Sequence, residues 1–331
     1  MGLKVGAWRV HAAGEPRDVL RWDEVVLEDP GPGQLLVRVE AAAVNFVDLL
    51  LCRGIYQDRP AHPFTPGGES CGRVVAAGEG CATPVGARVI AAGWVPGAGL
   101  AEALLVPEEL TFPLGDDVDP VKGAALHTAY STAVVCLERR GRLQAGETLL
   151  VNAGAGSVGS AAIQVGQAMG ATVVATAGGP AKVEVCRSLG AVEAFDSHRD
   201  FSAAVRAATG GRGADVVYDS VGGQVFDWSR RCVAFEGRIL VIGFASGDIP
   251  CAPTNHALLK GYSVVGAAAG LYRDRDVAYW RACHDRVVEM FRAGALDPLL
   301  DPSELTLADA PEALERLARR RNVGKLVLRV V

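Results

Sequence analysis

The stretch LLVNAGAGSVGSAAIQ, residues 149–164, joins a short apolar run to three spaced glycines, Gly154, Gly156 and Gly159. The apolar run predicts a buried strand, and the small and apolar residues after the glycines predict a helix. A G-x-G-x-x-G spacing between a strand and a helix is typical of a turn that holds a dinucleotide pyrophosphate. The stretch therefore predicts a dinucleotide-binding α/β unit.

Each glycine has its own physical role in such a turn. Gly154 permits the tight turn, Gly156 lets the backbone approach the pyrophosphate, and Gly159 lets the helix lie against the strand. The amides near Ser157 and Val158 point at the anion together with the helix dipole.

Strand-like runs of the same kind recur on either side of this turn. They are TLLVN (148–152), ATVVATA (171–177), ADVVYDS (214–220) and GRILVIGF (237–244). Helical stretches separate them, and this βαβ series predicts a parallel sheet covered on both faces. The first part of the chain is instead rich in short strands and turn signals. We therefore predict a β-rich domain over 1–119, a Rossmann domain over 120–260 and a closing segment over 261–331.

Composition narrows the functional classes. The chain has 331 residues, 50% of them hydrophobic and 6% aromatic, with a net charge of −5. A chain with this charge and no basic block is not expected to bind nucleic acid. No signal peptide or membrane-spanning run is visible, so we expect a cytoplasmic protein that does not associate with membranes. The eight cysteines include no C-x-x-C pair, which argues against a structural zinc ribbon.

The end of the second strand-like run bears on the choice of cofactor. NAD-binding folds need an acid about 20 residues after the glycines, where it accepts from the ribose hydroxyls. Ala177 stands there, and Lys182 follows five residues later. A missing carboxylate removes repulsion against a 2′-phosphate, and a lysine adds attraction. The sequence therefore favours NADPH.

The whole chain resembles the zinc-independent quinone oxidoreductase (zeta-crystallin-like) branch of the medium-chain dehydrogenase/reductase superfamily. The matching segments include PGPGQLLVRVEAAAVNFVDLL, RGIYQ, FTPGGESCGRVVAAGEG, LQAGETLLVNAGAGSVGSAAIQ, GGRGADVVYDSVGG, GRILVIGFASGDIP and RNVGKLVL. The resemblance implies a GroES-like substrate domain, a Rossmann domain and a last segment that returns to the first domain. It also implies an active site in the cleft between the domains and a homodimer formed through the sheet edge near YSVVGAAA (262–269).

The resemblance also implies that a metal is absent. Zinc alcohol dehydrogenases of this superfamily carry Cys and His where this chain has Asn45 and Gly68. Their four-cysteine lobe is replaced here by WVPGAGLAEALLV (94–106). A makeshift site of His62, Asp48 and Glu69 lacks a placed partner for the histidine, and we expect Asp48 and Glu69 to brace their loop. Without a Lewis acid, the chemistry favours quinones and α,β-unsaturated carbonyls, which spread developing charge over a conjugated system.

Site residues follow from the resemblance. Asn45 and Tyr56 are the predicted catalytic residues, with Asn45 also beside the nicotinamide and Tyr56 as a proton donor. The loops 93–101 and 266–276 are expected to line the substrate pocket. Further cofactor contacts are predicted at Lys182, Ser197, Ser220, Gly243, Phe244, Ser246 and Asn322. Gly179 and Ser197 depart from the Ser or Thr and the Tyr common in NADPH-dependent relatives, so use of both NADH and NADPH stays open.

Three functions remain open at this point. The first is an NADPH-dependent quinone reductase. The second is an enoyl or enone reductase on the same scaffold, which must also protonate a carbon. The third is an NADPH-binding protein with little catalysis, because a fold alone does not establish activity.

Overall fold

The computed structural model describes residues 2–92 and 99–331. Residues 93–98, part of the predicted pocket loop 93–101, lie outside the described residues. The chain divides into unit 1, Met1–Thr128 with Leu300–Val331, and unit 2, Ala129–Leu299. The strands are β1 (Leu3–Val10), β2 (Leu20–Leu27), β3 (Gln34–Ala43), β4 (Glu69–Ala77), β5 (Arg88–Ala91), β6 (Ala103–Pro107), β7 (Thr111–Pro113), β8 (Thr148–Val151), β9 (Thr172–Ala177), β10 (Glu193–Asp196), β11 (Ala214–Asp219), β12 (Val233–Val241), β13 (Ser263–Gly266), β14 (Leu305–Thr306) and β15 (Val327–Arg329).

The helices follow the same numbering in chain order. They are α1 (Pro16–Val19), α2 (Phe46–Cys52), α3 (Pro120–Val134), α4 (Ser157–Ala168), α5 (Pro180–Ser188), α6 (Ser202–Ala208), α7 (Gly223–Cys232), α8 (Thr254–Lys260), α9 (Gly270–Arg275), α10 (Val277–Arg292) and α11 (Ala310–Ala318). A π-helical segment, Val135–Arg140, continues α3, and short 3-10 segments lie at Glu108–Leu110 and Leu307–Asp309.

Unit 2 is built on a parallel sheet with the strand order β10-β9-β8-β11-β12-β13. Numbered along the chain, this is the 3-2-1-4-5-6 order of the Rossmann fold, so the predicted doubly wound α/β sheet is confirmed. The four strand-like runs of the sequence are β8, β9, β11 and β12. Every residue of β8 is buried, as expected for a central strand with helices on both faces.

Close packing of α4 on β8 depends on small residues in the helix. A Cβ on Gly166 would lie 2.5 Å from Leu149 Cδ2, so no larger residue fits there without a shift. Ala161, Ala162 and Ile163 on the same helix are fully buried. The helix therefore holds the glycine turn at its amino end at a fixed height above the sheet.

Unit 1 is β-rich, as predicted. Its larger sheet runs β14-β15-β3-β4-β5-β7, and β6 pairs with β3. The strands β1 and β2 form a separate antiparallel pair. Strand β15 runs antiparallel to β3, and β4 pairs with the other edge of β3. Chain segments that are distant in sequence therefore end side by side at one end of this sheet.

The two units begin and end at different residues from the predicted domain boundaries. β13 pairs with β12 and completes the parallel sheet, so residues after 260 belong to unit 2 up to Leu299. The chain rejoins unit 1 where Leu300 forms a parallel bridge with Lys325. The other division falls after Thr128, inside α3. The His127 ring, just before it, stacks on Phe112 of unit 1 at 4.3 Å between centroids.

The eight cysteines are free, and six of them are buried. No helix within the described ranges is both long enough and apolar enough to span a membrane. The compartment itself stays a prediction.

Candidate active site

The glycine-rich turn connects the carboxyl end of β8 to α4. Ala153 has the left-handed conformation in this turn, with φ of 54°, and Gly154 does not. A Cβ on Gly154 would lie 2.8 Å from the Cys186 sulfur and 2.9 Å from Ile163 Cδ1. The turn-forming role predicted for Gly154 is therefore performed by Ala153, and Gly154 is needed because the surrounding helices approach so closely.

Gly156 and Gly159 differ in what surrounds them. A Cβ on Gly159 would lie 2.2 Å from the Ala153 carbonyl oxygen, so the start of α4 can approach the turn only with glycine there. A Cβ on Gly156 would meet its nearest atom, the same oxygen, at 3.4 Å. Of the three glycines of this turn, only Gly156 has room beside it for a ligand to approach the backbone.

The first turn of α4 supplies amide donors beside this opening. Gly156 is the N-cap residue, and its carbonyl accepts the first helical hydrogen bond, from the Ser160 amide at 2.8 Å. Ser157, Val158 and Gly159 occupy the first helical positions, whose amides have no acceptor within a helix. The turn and the helix end thus fit a pyrophosphate.

The ends of β9 and β10 lie together. The Ser197 amide donates to the Ala177 carbonyl at 2.9 Å, and the Gly179 amide donates to the Asp196 carboxylate at 2.9 Å. Backbone amides of Gly179 and His198 hold the pKa of Asp196 below its usual value. Lys182 lies in the first turn of α5. The sequence does not single out Asp196, because the acid of an NAD-binding fold is expected at the end of the preceding strand, where Ala177 stands.

The ends of β11 and β12 form a second joined pair. The Ala245 amide donates to the Ser220 carbonyl at 3.0 Å, and the Ser246 amide donates to the Val221 carbonyl at 2.9 Å. The nearest atom to a Cβ on Gly243 would be the Ser220 oxygen, at 3.6 Å. The structure therefore brings Ser220 together with the loop that contains Gly243, Phe244 and Ser246.

A buried polar network lies under these strand ends. The Asn152 amide nitrogen donates to Asp219 Oδ1 at 3.2 Å and to Ser229 Oγ at 2.9 Å, and its oxygen accepts from Thr176 Oγ1 at 2.9 Å. Asp219 also accepts from the amides of Val221 and Gly222. Burial raises the pKa of Asp219. In the sequence, the only sign of this network is a polar residue, Asn152, directly after the apolar run that forms β8.

Unit 1 contains a second buried polar group around Asn45, the N-cap residue of α2. Lys325 Nζ donates to Asn45 Oδ1 at 2.6 Å and to Glu69 Oε2 at 2.8 Å. The exposed fraction is 2% for the Lys325 side chain and 0% for Glu69. Asn45 Nδ2 is buried and has no hydrogen-bond partner among the described residues. Lys325 was missed by sequence reasoning, although RNVGKLVL was among the matching segments.

The two acids of this region are already engaged. Asp48 accepts from the amides of Asn45 at 2.7 Å and Gly67 at 2.9 Å, so it braces the loop as predicted. Burial is the main reason that the pKa of Asp48 rises to about 6. Glu69 Oε1 accepts from the Thr128 amide at 2.7 Å, while its other oxygen accepts from Lys325. Glu69 therefore does more than brace a loop, because it balances a buried ammonium charge.

This donor set does not fit a zinc ion. Asn45 and Gly68 offer no thiolate or imidazole, and Glu69 is bound to an ammonium group. His62 is exposed, stacks on Phe64 at 5.4 Å between ring centroids, and contacts the Val10 carbonyl through Nδ1 at 3.3 Å. Within residues 2–92 and 99–331, no three His, Cys, Asp or Glu side chains are grouped so that they could hold a metal.

Tyr56 and Asn322 are the remaining predicted residues of unit 1. Tyr56 follows α2, is half-buried and packs against the main core of the unit. Asn45 precedes the same helix, so the two predicted catalytic residues flank opposite ends of α2. Asn322 is 8% exposed, and its amide nitrogen donates to the Gly324 carbonyl at 2.9 Å, which shapes the turn before Lys325.

Known proteins resemble this chain over nearly its full length. Residues 31–116 match the family described as alcohol dehydrogenase GroES-like domain, which confirms the predicted domain type, and residues 157–285 match the zinc-binding dehydrogenase family. Quinone oxidoreductase-like protein 2 of Rattus norvegicus is 34% identical over 324 residues, covering 97% of this chain and 92% of that protein. Its homolog in Nematostella vectensis is 33% identical over 308 residues, covering 92% and 84%.

Solved structures show the same similarity. A quinone oxidoreductase of Pseudomonas syringae has a TM-score of 0.90 and 30% identity, with 98% of this chain and 99% of that chain covered. A mycobacterial protein solved as a complex with NADPH has a TM-score of 0.89 and 31% identity, with 98% and 99% covered.

Proposed function

The chain belongs to the quinone oxidoreductase-like family of the medium-chain dehydrogenase/reductase superfamily, and we propose that it is a zinc-independent, NADPH-dependent reductase of quinones or other conjugated carbonyls. The observation that carries the proposal is the buried Nδ2 of Asn45, which has no hydrogen-bond partner in the part of the chain that the structure describes. An unsatisfied donor in a buried place is costly unless a ligand accepts its hydrogen bond. Asn45 therefore supports a ligand oxygen at this position.

The chemistry of the acceptor explains why such a donor is useful. NADPH, when bound, supplies a hydride, and solvent or a side chain supplies the proton that completes the two-electron reduction. The carbonyl oxygen gains negative charge as hydride reaches the conjugated system. A preorganised hydrogen-bond donor stabilises that charge, and a conjugated acceptor also spreads it. A donor amide thus suits an acceptor of this class without a Lewis acid.

The residues of unit 2 support the cofactor half of the proposal. The opening at Gly156 and the amides of Ser157 and Val158 suit the pyrophosphate, and Lys182 and Ser197 suit the 2′-phosphate of NADPH. Ser220, Gly243, Phe244 and Ser246 lie on the two joined loops and are proposed to border the rest of the cofactor. Asn322 is proposed to act through the turn that it stabilises, because its amide nitrogen is already bonded to Gly324.

The experiment that tests the function follows loss of NADPH absorbance with purified protein. One panel contains benzoquinones and naphthoquinones, and a second contains enones and enoyl thioesters. We expect turnover with quinones that persists after treatment with a chelator. Tight NADPH binding without turnover on either panel would support the non-catalytic alternative. Stoichiometric zinc with chelator-sensitive alcohol oxidation would contradict the zinc-independent proposal.

The same panels separate quinone reduction from enone reduction. Only enone reduction must protonate a carbon, and Tyr56 carries a phenol that can donate a proton. Under the quinone proposal, Tyr56→Phe leaves quinone turnover intact. If enoyl substrates alone are reduced and Tyr56→Phe abolishes that reduction, the enoyl reductase is the correct assignment.

We further propose that two copies of the chain pair along β13. This strand is an edge of the parallel sheet, and Val264 on it is exposed. Phe235, Leu258 and Leu259, on neighbouring elements, are 77%, 81% and 83% exposed. An apolar edge strand of this kind is normally covered in a soluble protein. Val264→Lys is expected to shift the protein from dimer to monomer in sedimentation experiments, and a wild-type monomer would refute the proposal.

A further inference from the structure

Lys325 is a buried ammonium group whose position needs an explanation beyond stability. Its Nζ bonds to Asn45 Oδ1 at 2.6 Å and to Glu69 Oε2 at 2.8 Å, and both charged side chains are almost fully buried. Removing two charges from water is expensive, and apolar residues of the same size often stabilise a protein as well or better. Stability alone therefore does not account for this ion pair.

The sheet of unit 1 places these groups with little freedom. Ala43 on β3 is paired with Val327 on β15 and with Glu69 on β4. Continuing the antiparallel register by two residues puts Lys325 opposite Asn45. The Val44 amide donates to the Leu326 carbonyl at 3.0 Å, and the Lys325 carbonyl accepts from the Asp301 amide at 2.8 Å. The backbone on both sides of the Lys325–Asn45 contact is therefore fixed.

The chemistry of the ammonium group decides the orientation of the Asn45 amide. An ammonium group has donors only, so the amide must turn its oxygen toward it. The opposite orientation would bring two donors together at 2.6 Å. The nitrogen then points away from Lys325, and it is this Nδ2 atom that is buried without a partner within residues 2–92 and 99–331.

Glu69 makes no hydrogen bond with the Asn45 amide nitrogen, which has no partner among the described residues. Its Oε1 is bonded to the Thr128 amide and its Oε2 to Lys325. It neutralises the ammonium charge at 2.8 Å. A charged donor on the amide oxygen also polarises the amide, because linked hydrogen bonds strengthen one another at low dielectric.

We propose that Lys325 is a positioning residue that turns the Asn45 amide nitrogen toward the substrate carbonyl oxygen and strengthens it as a hydrogen-bond donor. This inference rests on the proposed function. It places a fixed positive charge behind the donor. Asn45 touches the substrate oxygen, and Lys325 acts only through Asn45.

Asn45→Asp is the most direct test. The aspartate has the same shape and still accepts from Lys325, but it has no N–H donor. We expect kcat for the best quinone to fall about 10²-fold or more, as when one donor to a developing oxyanion is removed. The dissociation constant for NADPH, from fluorescence of the bound cofactor, should stay near wild type, whereas the urea midpoint of the free protein should fall, because two buried carboxylates then share one ammonium group. Wild-type kcat in this variant would overturn the inference.

A double-mutant cycle tests the link between the two residues. Lys325→Met with Glu69→Gln removes both charges, so no buried charge is left unpaired. If Lys325 acts through Asn45, this variant and Asn45→Ala each lower kcat, and their combination lowers it no further. Losses that multiply would instead show independent roles, and the inference would fail. If the neutralised pair does not fold, the result of Asn45→Asp decides alone.

An exposed ion pair supplies the matched control. Lys4 and Glu24 are joined at 2.8 Å with exposed fractions of 69% and 65%, so Lys4→Met with Glu24→Gln should leave kcat unchanged. If Asn45→Ala weakens NADPH binding without changing kcat, Asn45 binds the cofactor and the inference is refuted. Absence of turnover in the wild type refutes the proposed function instead, which distinguishes the two failures.

Discussion

Alanine at Gly156 is expected to weaken NADPH binding, whereas alanine at Gly159 is expected to lower the stability of the folded protein. The two glycines lie three residues apart in one turn, and the substitution is the same. At Gly159 the added methyl carbon would lie 2.2 Å from the Ala153 carbonyl oxygen and 2.9 Å from Gly154 Cα. At Gly156 the nearest atom would be 3.4 Å away. Alanine at Gly159 therefore strains the folded protein, whereas alanine at Gly156 mainly obstructs a ligand.

The contacts set the size of each effect. A methyl group that forces the backbone of a packed turn to move costs about 1–3 kcal/mol. Alanine returns up to about 1 kcal/mol through its helix propensity at Gly159, so we expect a net loss of about 2 kcal/mol from overpacking this severe. Gly156 is the N-cap, where alanine costs about 1 kcal/mol or less relative to glycine. Its methyl group would occupy the space needed by the pyrophosphate, so the NADPH dissociation constant should rise at least about tenfold, or 1.4 kcal/mol.

Two measurements separate these outcomes. Urea unfolding followed by circular dichroism gives the stability of each free protein, and fluorescence titration gives the NADPH dissociation constant. Gly159→Ala should lose stability, and Gly156→Ala should lose affinity while remaining folded. The reasoning is refuted if Gly156→Ala binds NADPH as tightly as the wild type, or if Gly159→Ala is as stable as the wild type.

Three further predictions follow from other sites. Because burial raises the pKa of Asp48 from 3.8 to about 6, folding favours its protonated form, and the associated stability of about 3 kcal/mol is fully present below pH 3.8 and lost as the pH rises through 6. The free energy of unfolding of Asp48→Asn, measured in urea, should not change with pH in this way. A wild-type pH profile in that variant would contradict the assignment of the pH dependence to Asp48. Asn152→Leu leaves Asp219, Ser229 and Thr176 without their shared partner, so the free energy of unfolding should fall by about 3 kcal/mol; an unchanged value in urea titration would show that the network is dispensable. Lys182→Met should raise the NADPH dissociation constant about tenfold or more and leave that of NADH unchanged, and equal effects on both cofactors would exclude contact with the 2′-phosphate.

The fold of unit 2 could be predicted because its signals are local. Apolar runs such as β8, β9, β11 and β12 are recognisable within a few residues, and three spaced glycines identify the turn between β8 and α4. Two strands carried weaker signals. β10 is a four-residue edge strand that starts with a charged residue, and β13 begins just beyond the predicted boundary at 260, although the resemblance implies a sheet edge near YSVVGAAA (262–269).

Residue types alone did not show which residue of the turn has which structural role. The glycine spacing marked the turn correctly, but the left-handed residue is Ala153. Gly154 is required by the Cys186 and Ile163 side chains that approach it, and those belong to two helices. Whether a glycine is required by the backbone conformation or by close packing depends on residues elsewhere in the chain, which the spacing of the glycines does not reveal.

Asn45 could be singled out from the residues around it in the sequence, but the orientation of its amide and its hydrogen bonds could not. The sequence by itself determined a Rossmann unit and a β-rich unit, and the family resemblance predicts that Asn45 and Gly68 stand in two segments where zinc-containing relatives carry metal ligands. Only the tertiary structure placed Lys325 against Asn45 and Glu69, across 280 and 256 residues of chain. The reason is physical, since strand register brings three distant segments to one end of a sheet, and a donor-only ammonium group then leaves a single orientation for the Asn45 amide.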